Sequence, residues 1–235
     1  MKYNMTKRFA PSAFLAIPRR KAAGLCAWCF ATVATGFLLA ACSILPETEP
    51  TDTYLLPTEL QTQRSEMPDH ASSVRGLSLR INQPAAGERL GGQRIIVLPQ
   101  PNQMQVYQGV RWSERATVLL RNRLFDAFRQ NGSIMALSTD ERNLQAEYEL
   151  VSELRAFQSE YREGARTPQV VVALDMRLVR TRDRRIVASR RFESVQAAAD
   201  TAVPGVVQAF GKASDNVAAQ VVAWALPHMQ PSAAE

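Results

Sequence analysis

Residues 113–130 and 202–226 carry apolar side chains at the spacing of an amphipathic helix. The first apolar stripe comprises Ala116, Leu119, Leu120, Leu124, Ala127 and Phe128, with Arg121, Asn122, Asp126 and Arg129 on the opposite face. The second comprises Val206, Phe210, Ala213, Val217, Val221 and Trp224. We predict one helix that is capped by Ser113 and ends at Asn131-Gly132, and another that is capped by Asp200 or Thr201 and ends at Pro227.

Other segments alternate between apolar and polar residues, which is typical of half-buried strands. The predicted strands lie at 77–81, 94–98, 104–107, 134–137, 146–157, 169–179 and 185–195, and Tyr54-Leu55-Leu56 is expected to add an edge strand. The strand at 146–157 places Tyr148, Leu150, Leu154 and Ala156 on its core face. The last two strands form a hairpin around 181–184, and Ile186, Ala188 and Phe192 continue its core layer.

The order of these elements predicts an α+β fold. We expect a mixed, mainly antiparallel sheet of about five to six strands, with both helices packed on one face. Trp112 and Trp224 are interpreted as core residues near helix ends.

The amino-terminal region has the charge order of a secretory signal. Residues 22–41 contain no charged side chain and follow six basic ones, and Leu39-Ala40-Ala41-Cys42 forms a lipobox. We predict cleavage between Ala41 and Cys42 and acylation of the Cys42 thiol, which would anchor the chain to a membrane. The alternative is a retained signal anchor, because about 20 apolar residues at roughly 1.5 Å each can span a bilayer. Ser43, in place of an Asp that resembles an inner-membrane retention mark, favours the outer membrane.

The sequence predicts four segments along the chain. Residues 1–41 form the signal peptide, and 42–73 the lipidated cysteine and a tether rich in proline and polar residues. Residues 74–227 form the folded domain, and 228–235 a disordered tail.

The basic net charge of +6 does not indicate a nucleic-acid partner. The signal holds six of the 28 basic residues and no acidic one, so the remainder has 22 of each sign. Cys26 and Cys29 form a CxxC that lies inside the signal, which argues against a redox role.

The chain lacks the residues that most hydrolytic sites need. His70 and His228 are the only histidines, and there is no GxSxG, phosphate-loop or HExxH motif. Glu147, Glu149 and Glu153 are interpreted as neighbours on a solvated strand face. We therefore predict no catalytic residue, no metal site and no cofactor.

Arginines are concentrated in the predicted hairpin. Arg180, Arg182, Arg184 and Arg185 are the candidate partner contacts, for lipid headgroups or an acidic protein. The alternative is a solvated hairpin that Asp183 and Glu193 neutralise.

A set of short motifs in a fixed order resembles a known family. These are the lipobox, Tyr54-Leu55-Leu56, Arg94-Ile95-Ile96-Val97-Leu98-Pro99, Arg111-Trp112-Ser113-Glu114, Tyr148-Glu149-Leu150 and Ala188-Ser189-Arg190-Arg191-Phe192-Glu193. The chain resembles the ABC-type transport auxiliary lipoproteins, which include the lipoprotein of the paraquat-inducible operon. The resemblance implies a domain similar to the amino-terminal unit of TolB-like proteins. It also implies a non-enzymatic accessory of a lipid transporter whose permease and ATPase lie in the inner membrane and whose mammalian-cell-entry (MCE) protein bridges the periplasm.

Two other hypotheses stay open at this point. The chain could itself carry a phospholipid or sterol in an apolar groove, or it could be a cell-envelope hydrolase, for which no nucleophile and base are found. The sequence also leaves open whether the chain forms a homo-oligomer.

Overall fold

The computed structural model describes residues 50–58, 76–142, 144–162 and 164–230. The predicted signal peptide, the lipidation site Cys42 with its cleavage partner Ala41, most of the tether and the end of the tail lie outside the described residues. The predicted boundaries at residues 41, 73 and 227 stay predictions.

The described residues form two long helices, two single-turn helices and one sheet of eight strands. The strands are β1 Asp52–Tyr54, β2 Ser78–Ile81, β3 Arg94–Gln100, β4 Gln103–Trp112, β5 Ala136–Thr139, β6 Tyr148–Glu160, β7 Gln169–Arg180 and β8 Arg185–Ala197. Helix α1 is Ala116–Asn131 and α2 is Val203–Ala225, and the short helices are Asp140–Arg142 and Leu226–His228. The predicted α+β class is confirmed, although the sheet has more strands than expected.

The long strand β6 organises the sheet. Its first residues pair in parallel with β2 and its last residues pair in parallel with β3, along the same side. Strand β7 pairs antiparallel along the whole of its other side, and β8 follows β7. Strands β4 and β1 extend the sheet beyond β3, and β5 extends it beyond β2. Thirteen residues give β6 enough length, about 40 Å, to hold two partners end to end.

Both helices cover one face of the sheet, where the main hydrophobic core lies. At its centre Trp112, Phe157 and Phe210 pack together with ring centroids 4.7–5.7 Å apart, and all three side chains are almost fully buried. These residues come from β4, β6 and α2, so the cluster joins the sheet to the helix layer. Trp224 is also buried, as expected, and packs against Phe192.

Ala156 and Ile186 do not lie on the face of the sheet predicted for them, because the strands contain bulges. A register shift between Leu154 and Ala156 turns Ala156 to the face without helices and brings Phe157 into the main core. A second shift, in the β7–β8 pair, leaves Ile186 53% exposed while Ala188 still packs on the core. A bulge reverses every later side chain, which alternation alone does not reveal.

Two expectations for α1 also need correction. The residue at its amino-terminal cap is Arg115, not Ser113, and its side chain makes no capping hydrogen bond. Arg121, expected on the polar face, is buried because Asp140 and Glu141 pair with its guanidinium at 3.2 and 2.7 Å. Helix α2 begins after Ala202, whose N–H donates to Asp200 Oδ1 at 2.9 Å, so Asp200 lies two residues before the cap.

Residues 50–58, which we call the strap, lie on the folded domain. Strand β1 pairs in parallel with the end of β4, and the Ser113 N–H donates to the Tyr54 carbonyl at 2.8 Å. The predicted edge strand is therefore present but ends at Tyr54, and Leu55 is 74% exposed. The strap then crosses α2 at Gly211, where a Cβ would lie 2.7 Å from the Pro57 carbonyl oxygen. Only glycine leaves room for this approach.

Candidate functional site

The hairpin between β7 and β8 closes one side of an open groove of about 640 Å³, which we call the arginine groove. The side chains that matter for its chemistry are Arg80, Glu149, Thr181, Arg182 and Arg184. Three of these are cationic and one is anionic, so the groove has an excess of positive charge. It lies at the end of the sheet where β6 begins and β7 ends.

Arg80 and Glu149 form the floor of the arginine groove. They are paired residues on β2 and β6 and make an ion pair, with side chains 19% and 22% exposed. Arg80 also donates to the Leu144 carbonyl at 3.0 Å, while its Nε is buried without a hydrogen-bond partner in the described structure. The Asn82 amide donates to the other Glu149 oxygen at 3.3 Å. These bonds hold the floor in one arrangement.

The hairpin turn is fixed to the segment before β6. The Thr181 N–H donates to the Glu147 carbonyl at 3.0 Å, and the Thr181 hydroxyl donates to the Ala146 carbonyl at 2.5 Å. Arg184 adopts a left-handed conformation, with φ of 55°, in the turn that leads into β8. These hydrogen bonds hold the turn in place as one wall of the arginine groove.

The predicted arginines divide between two environments. Arg182 and Arg184 line the groove, whereas Arg180 and Arg185 do not. Arg180 instead pairs with Asp183, with Nη2 2.7 Å from Oδ2. This hydrogen-bonded cation lowers the pKa of Asp183 from its ordinary 3.8 to about 2. Asp183 thus neutralises Arg180, which does not line the groove.

Glu147, just before β6, and Glu149 and Glu153 within it all have structural partners. Glu149 pairs with Arg80, and Glu153 pairs with Arg155 at 2.8 Å. The Glu147 carboxylate accepts from the Ser78 N–H at 3.1 Å. These contacts agree with the interpretation that the glutamates are not an acid and base pair.

Arg80 was not predicted as a site residue. Alternation with Leu79 and Ile81 put it on the polar face of β2, but only the parallel register between β2 and β6 brings it to Glu149. That register joins residues 69 positions apart, and no local signal encodes it.

A second feature that the sequence analysis missed is the Arg123–Asp215 ion pair, which we call the clamp. The two side chains, from α1 and α2, are only 6% and 11% exposed. Arg123 Nη2 also donates to the strap carbonyls of Leu56, at 3.1 Å, and Pro57, at 2.5 Å. Burial lowers the pKa of Arg123 to about 10, against the opposing charge of Asp126, so the guanidinium stays protonated at neutral pH. One cation therefore joins both helices to the strap.

Two properties of the described residues concern metal binding and membrane insertion. Among them, no three His, Cys, Asp or Glu side chains are grouped so that they could hold a metal ion. Nor does this part of the chain contain a helix long and apolar enough to cross a membrane.

Two solved structures of other proteins are similar to this chain. The solved structure of protein XCC0632 from Xanthomonas campestris, of the DUF330 family, is 28% identical with a TM-score of 0.66, and the match covers 75% of this chain and 95% of that one. An uncharacterized protein of solved structure is 16% identical with a TM-score of 0.57, over 75% of this chain and 99% of that one, which shows the fold alone. A search of curated proteins found no match.

The sequence profile of the ABC-type transport auxiliary lipoprotein component matches residues 54–222. The match begins inside the strap, at Tyr54, covers α1 and ends within α2 at Val222. The chain therefore belongs to the ABC-type transport auxiliary lipoprotein family.

Proposed function

We propose that this protein is a non-enzymatic, lipid-anchored periplasmic subunit of an MCE-type ABC system that moves lipids between the inner and outer membranes. The family match over residues 54–222 carries the proposal, because it names an auxiliary lipoprotein component of ABC-type transport. The protein acts by holding a position and contacting partners, which are the MCE protein and, through it, the permease and ATPase.

The lipobox supports the anchoring. Acylation of Cys42 contributes roughly 0.8 kcal/mol for each buried CH₂, so two or three acyl chains hold a protein at a membrane almost permanently. Ser43 favours the periplasmic face of the outer membrane as the site of anchoring.

The contacts of the described carboxylates support the absence of catalysis. Glu149 and Glu153 pair with arginines and Glu147 accepts a hydrogen bond from a backbone N–H, so these three carboxylates have structural roles. Transport energy then comes from the ATPase subunit.

The chemistry of the arginine groove weighs against the carrier alternative at this site. An acyl chain or a sterol ring needs an apolar surface, whereas most of the groove side chains are charged or polar. The groove suits a carboxylate or phosphate better.

The test uses the full chain expressed in its own cells with radiolabelled palmitate. We expect label in the parent protein, none in Cys42→Ala, and an MCE-family subunit crosslinked to the acylated form. Palmitate that fails to enter the parent would overturn the anchoring. Crosslinking that never captures an MCE-family subunit, or purified protein that arrives with stoichiometric lipid, would overturn the docking function, and the latter would favour a carrier.

A further inference from the structure

Strand β8 forms a long free edge of the sheet. It has thirteen residues and, in the described part of the chain, pairs with β7 alone, so the backbone groups along its outer side have no strand partner. The edge strands β1 and β5 have only three and four residues. Strand β4 is covered by β1 at its end, and Gly109, with φ of 66°, interrupts its extended backbone. Because β8 contains neither proline nor glycine, it is the edge best suited to accept another strand.

The register with β7 shows which side chains of β8 lie on each face. Four of them neighbour the β7 residues on the face without helices: Ser189, Arg191, Glu193 and Val195. Five neighbour the β7 residues of the main core: Ala188, Arg190, Phe192, Ser194 and Gln196. Arg190 is nevertheless exposed, so the helix layer does not cover the outer side of β8 at this position.

The charges of β8 are complementary to those of a second β8 in one register. Two identical antiparallel strands are related by a two-fold axis, and their faces match when the axis passes through one residue of each strand. With the axis at Phe192, Arg191 of each copy lies opposite Glu193 of the other. An axis at Arg190, Arg191 or Glu193 instead sets like charges opposite each other. An axis nearer the end of β8 shortens the pairing, and one nearer its start crosses the bulge.

The remaining pairs of this register are also compatible. Arg190 lies opposite Ser194, and Ser189 lies opposite Val195, whose side chain is 43% exposed in the single chain. The pairing spans about nine residues of each strand, from Ala188 to Gln196, which is the part of β8 beyond the bulge. A two-fold axis perpendicular to the sheet keeps the helices of both copies on the same side, so the two sheets join into one.

We infer that β8 pairs antiparallel with β8 of a second copy of this chain, about a two-fold axis at Phe192. Within one chain, Arg191 Nη2 lies 3.4 Å from Glu193 Oε2, and both side chains are about half exposed, so each is accessible to the other copy. The shared edge is short, and the dimer is therefore weak, with a Kd on the order of 10 µM.

The charges are tested by reversing them one at a time in the processed full chain, with Kd measured by sedimentation velocity in detergent. Arg191→Glu alone and Glu193→Arg alone each set like charges opposite each other twice, so each should weaken its own dimer at least about tenfold. In an equimolar mixture, position 191 of each chain carries the charge opposite to position 193 of the other. The mixed dimer should therefore form with a Kd within about threefold of the parent value.

Two controls accompany this measurement. Arg177→Glu reverses an exposed charge on the same face but on β7, away from the edge, and should change Kd less than about twofold. Urea denaturation at about 1 µM, where the dimer is dissociated, checks that each variant chain is folded.

The register is tested with a disulfide between the two copies. Ser189→Cys and Val195→Cys each introduce one exposed thiol, and no natural cysteine follows Cys42. Directly opposite residues have Cα atoms about 4.5–5.5 Å apart, which suits a disulfide. We expect a 189–195 disulfide in oxidised mixtures of the two chains, identified by peptide mass spectrometry. Either chain alone should not form one, because two copies of position 189, or of position 195, lie about 20 Å apart in this register.

Each other outcome counts against the inference. A parent chain that stays monomeric at about ten times the expected Kd would exclude the dimer. A dimer that neither single charge reversal weakens, or that the mixture does not restore, would place the contact elsewhere. If a variant does not fold, the disulfide alone decides, and its absence from the mixture overturns the register. A disulfide from position 189 to another envelope protein would show that the edge receives a different partner.

Discussion

Replacing Asp215 by alanine removes the carboxylate that balances the buried Arg123 guanidinium. The two side chains are 6% and 11% exposed, so water cannot take over the role of the carboxylate without a rearrangement. Because the pKa of Arg123 is about 10, the guanidinium stays charged at pH 7. The substitution therefore leaves an uncompensated charge between the two helices.

The expected loss follows from that burial. Removing one partner of a buried ion pair costs about 3–5 kcal/mol, because the other charge stays desolvated. For a domain of this size, a loss of 1 kcal/mol in unfolding free energy lowers Tm by roughly 2–4 °C. A loss at the lower bound of about 3 kcal/mol therefore lowers Tm by about 6–12 °C. Arg123 could reach solvent only by breaking its bonds to the Leu56 and Pro57 carbonyls, and that would release the strap.

Two assays separate these responses. Urea denaturation measures the free energy of unfolding, and limited proteolysis measures release of the strap. Glu193→Ala is the matched control, since it removes an ion pair whose side chains are 58% and 47% exposed, and it should cost less than about 1 kcal/mol. An Asp215→Ala protein within about 1 kcal/mol of the parent, with its strap still protected, would refute the reasoning.

Three further predictions concern other parts of the domain. Gly211→Ala places a Cβ 2.7 Å from a strap carbonyl oxygen, so we expect the unfolding free energy measured in urea to fall by about 1–3 kcal/mol and the strap to be cleaved faster. The control is Gly92→Ala, which should change little because no atom lies nearer than 3.5 Å to its added Cβ. Phe210→Ala empties the centre of the aromatic cluster and should cost about 3–5 kcal/mol by the same measurement, and a loss below about 1 kcal/mol would contradict the packing. Arg180→Gln should return the pKa of Asp183 from about 2 toward 3.8, as followed by carboxyl NMR. Because the folded-state pKa is depressed, stabilisation by this carboxylate is present above pH 3.8 and lost as pH falls through about 2, and an unchanged pKa in the variant would refute Arg180 as its cause.

The sequence predicted the positions of helices and strands more reliably than the face on which each side chain lies. The periods of two and 3.6 residues located both helices and the long strands, because burial of one face imposes a period on each element. The errors at Ala156 and Ile186 came from bulges, which insert one residue and reverse the pattern beyond it. The error at Arg121 came from a long side chain that reaches Asp140 and is buried by it.

What the sequence determined by itself is the class of the protein. The lipobox is a contiguous signal, and the hydrophobic periods, the scarcity of histidine and the ordered family motifs are all local or compositional. They established the α+β fold and the family without any knowledge of contacts.

What only the tertiary structure decided is which distant residues meet. The arginine groove joins β2 to β6 and to the β7–β8 turn, and the clamp joins residues 92 positions apart to the strap. Such pairs depend on strand register and helix packing, which are set by the burial of the whole core and not by the residues beside each partner in the chain.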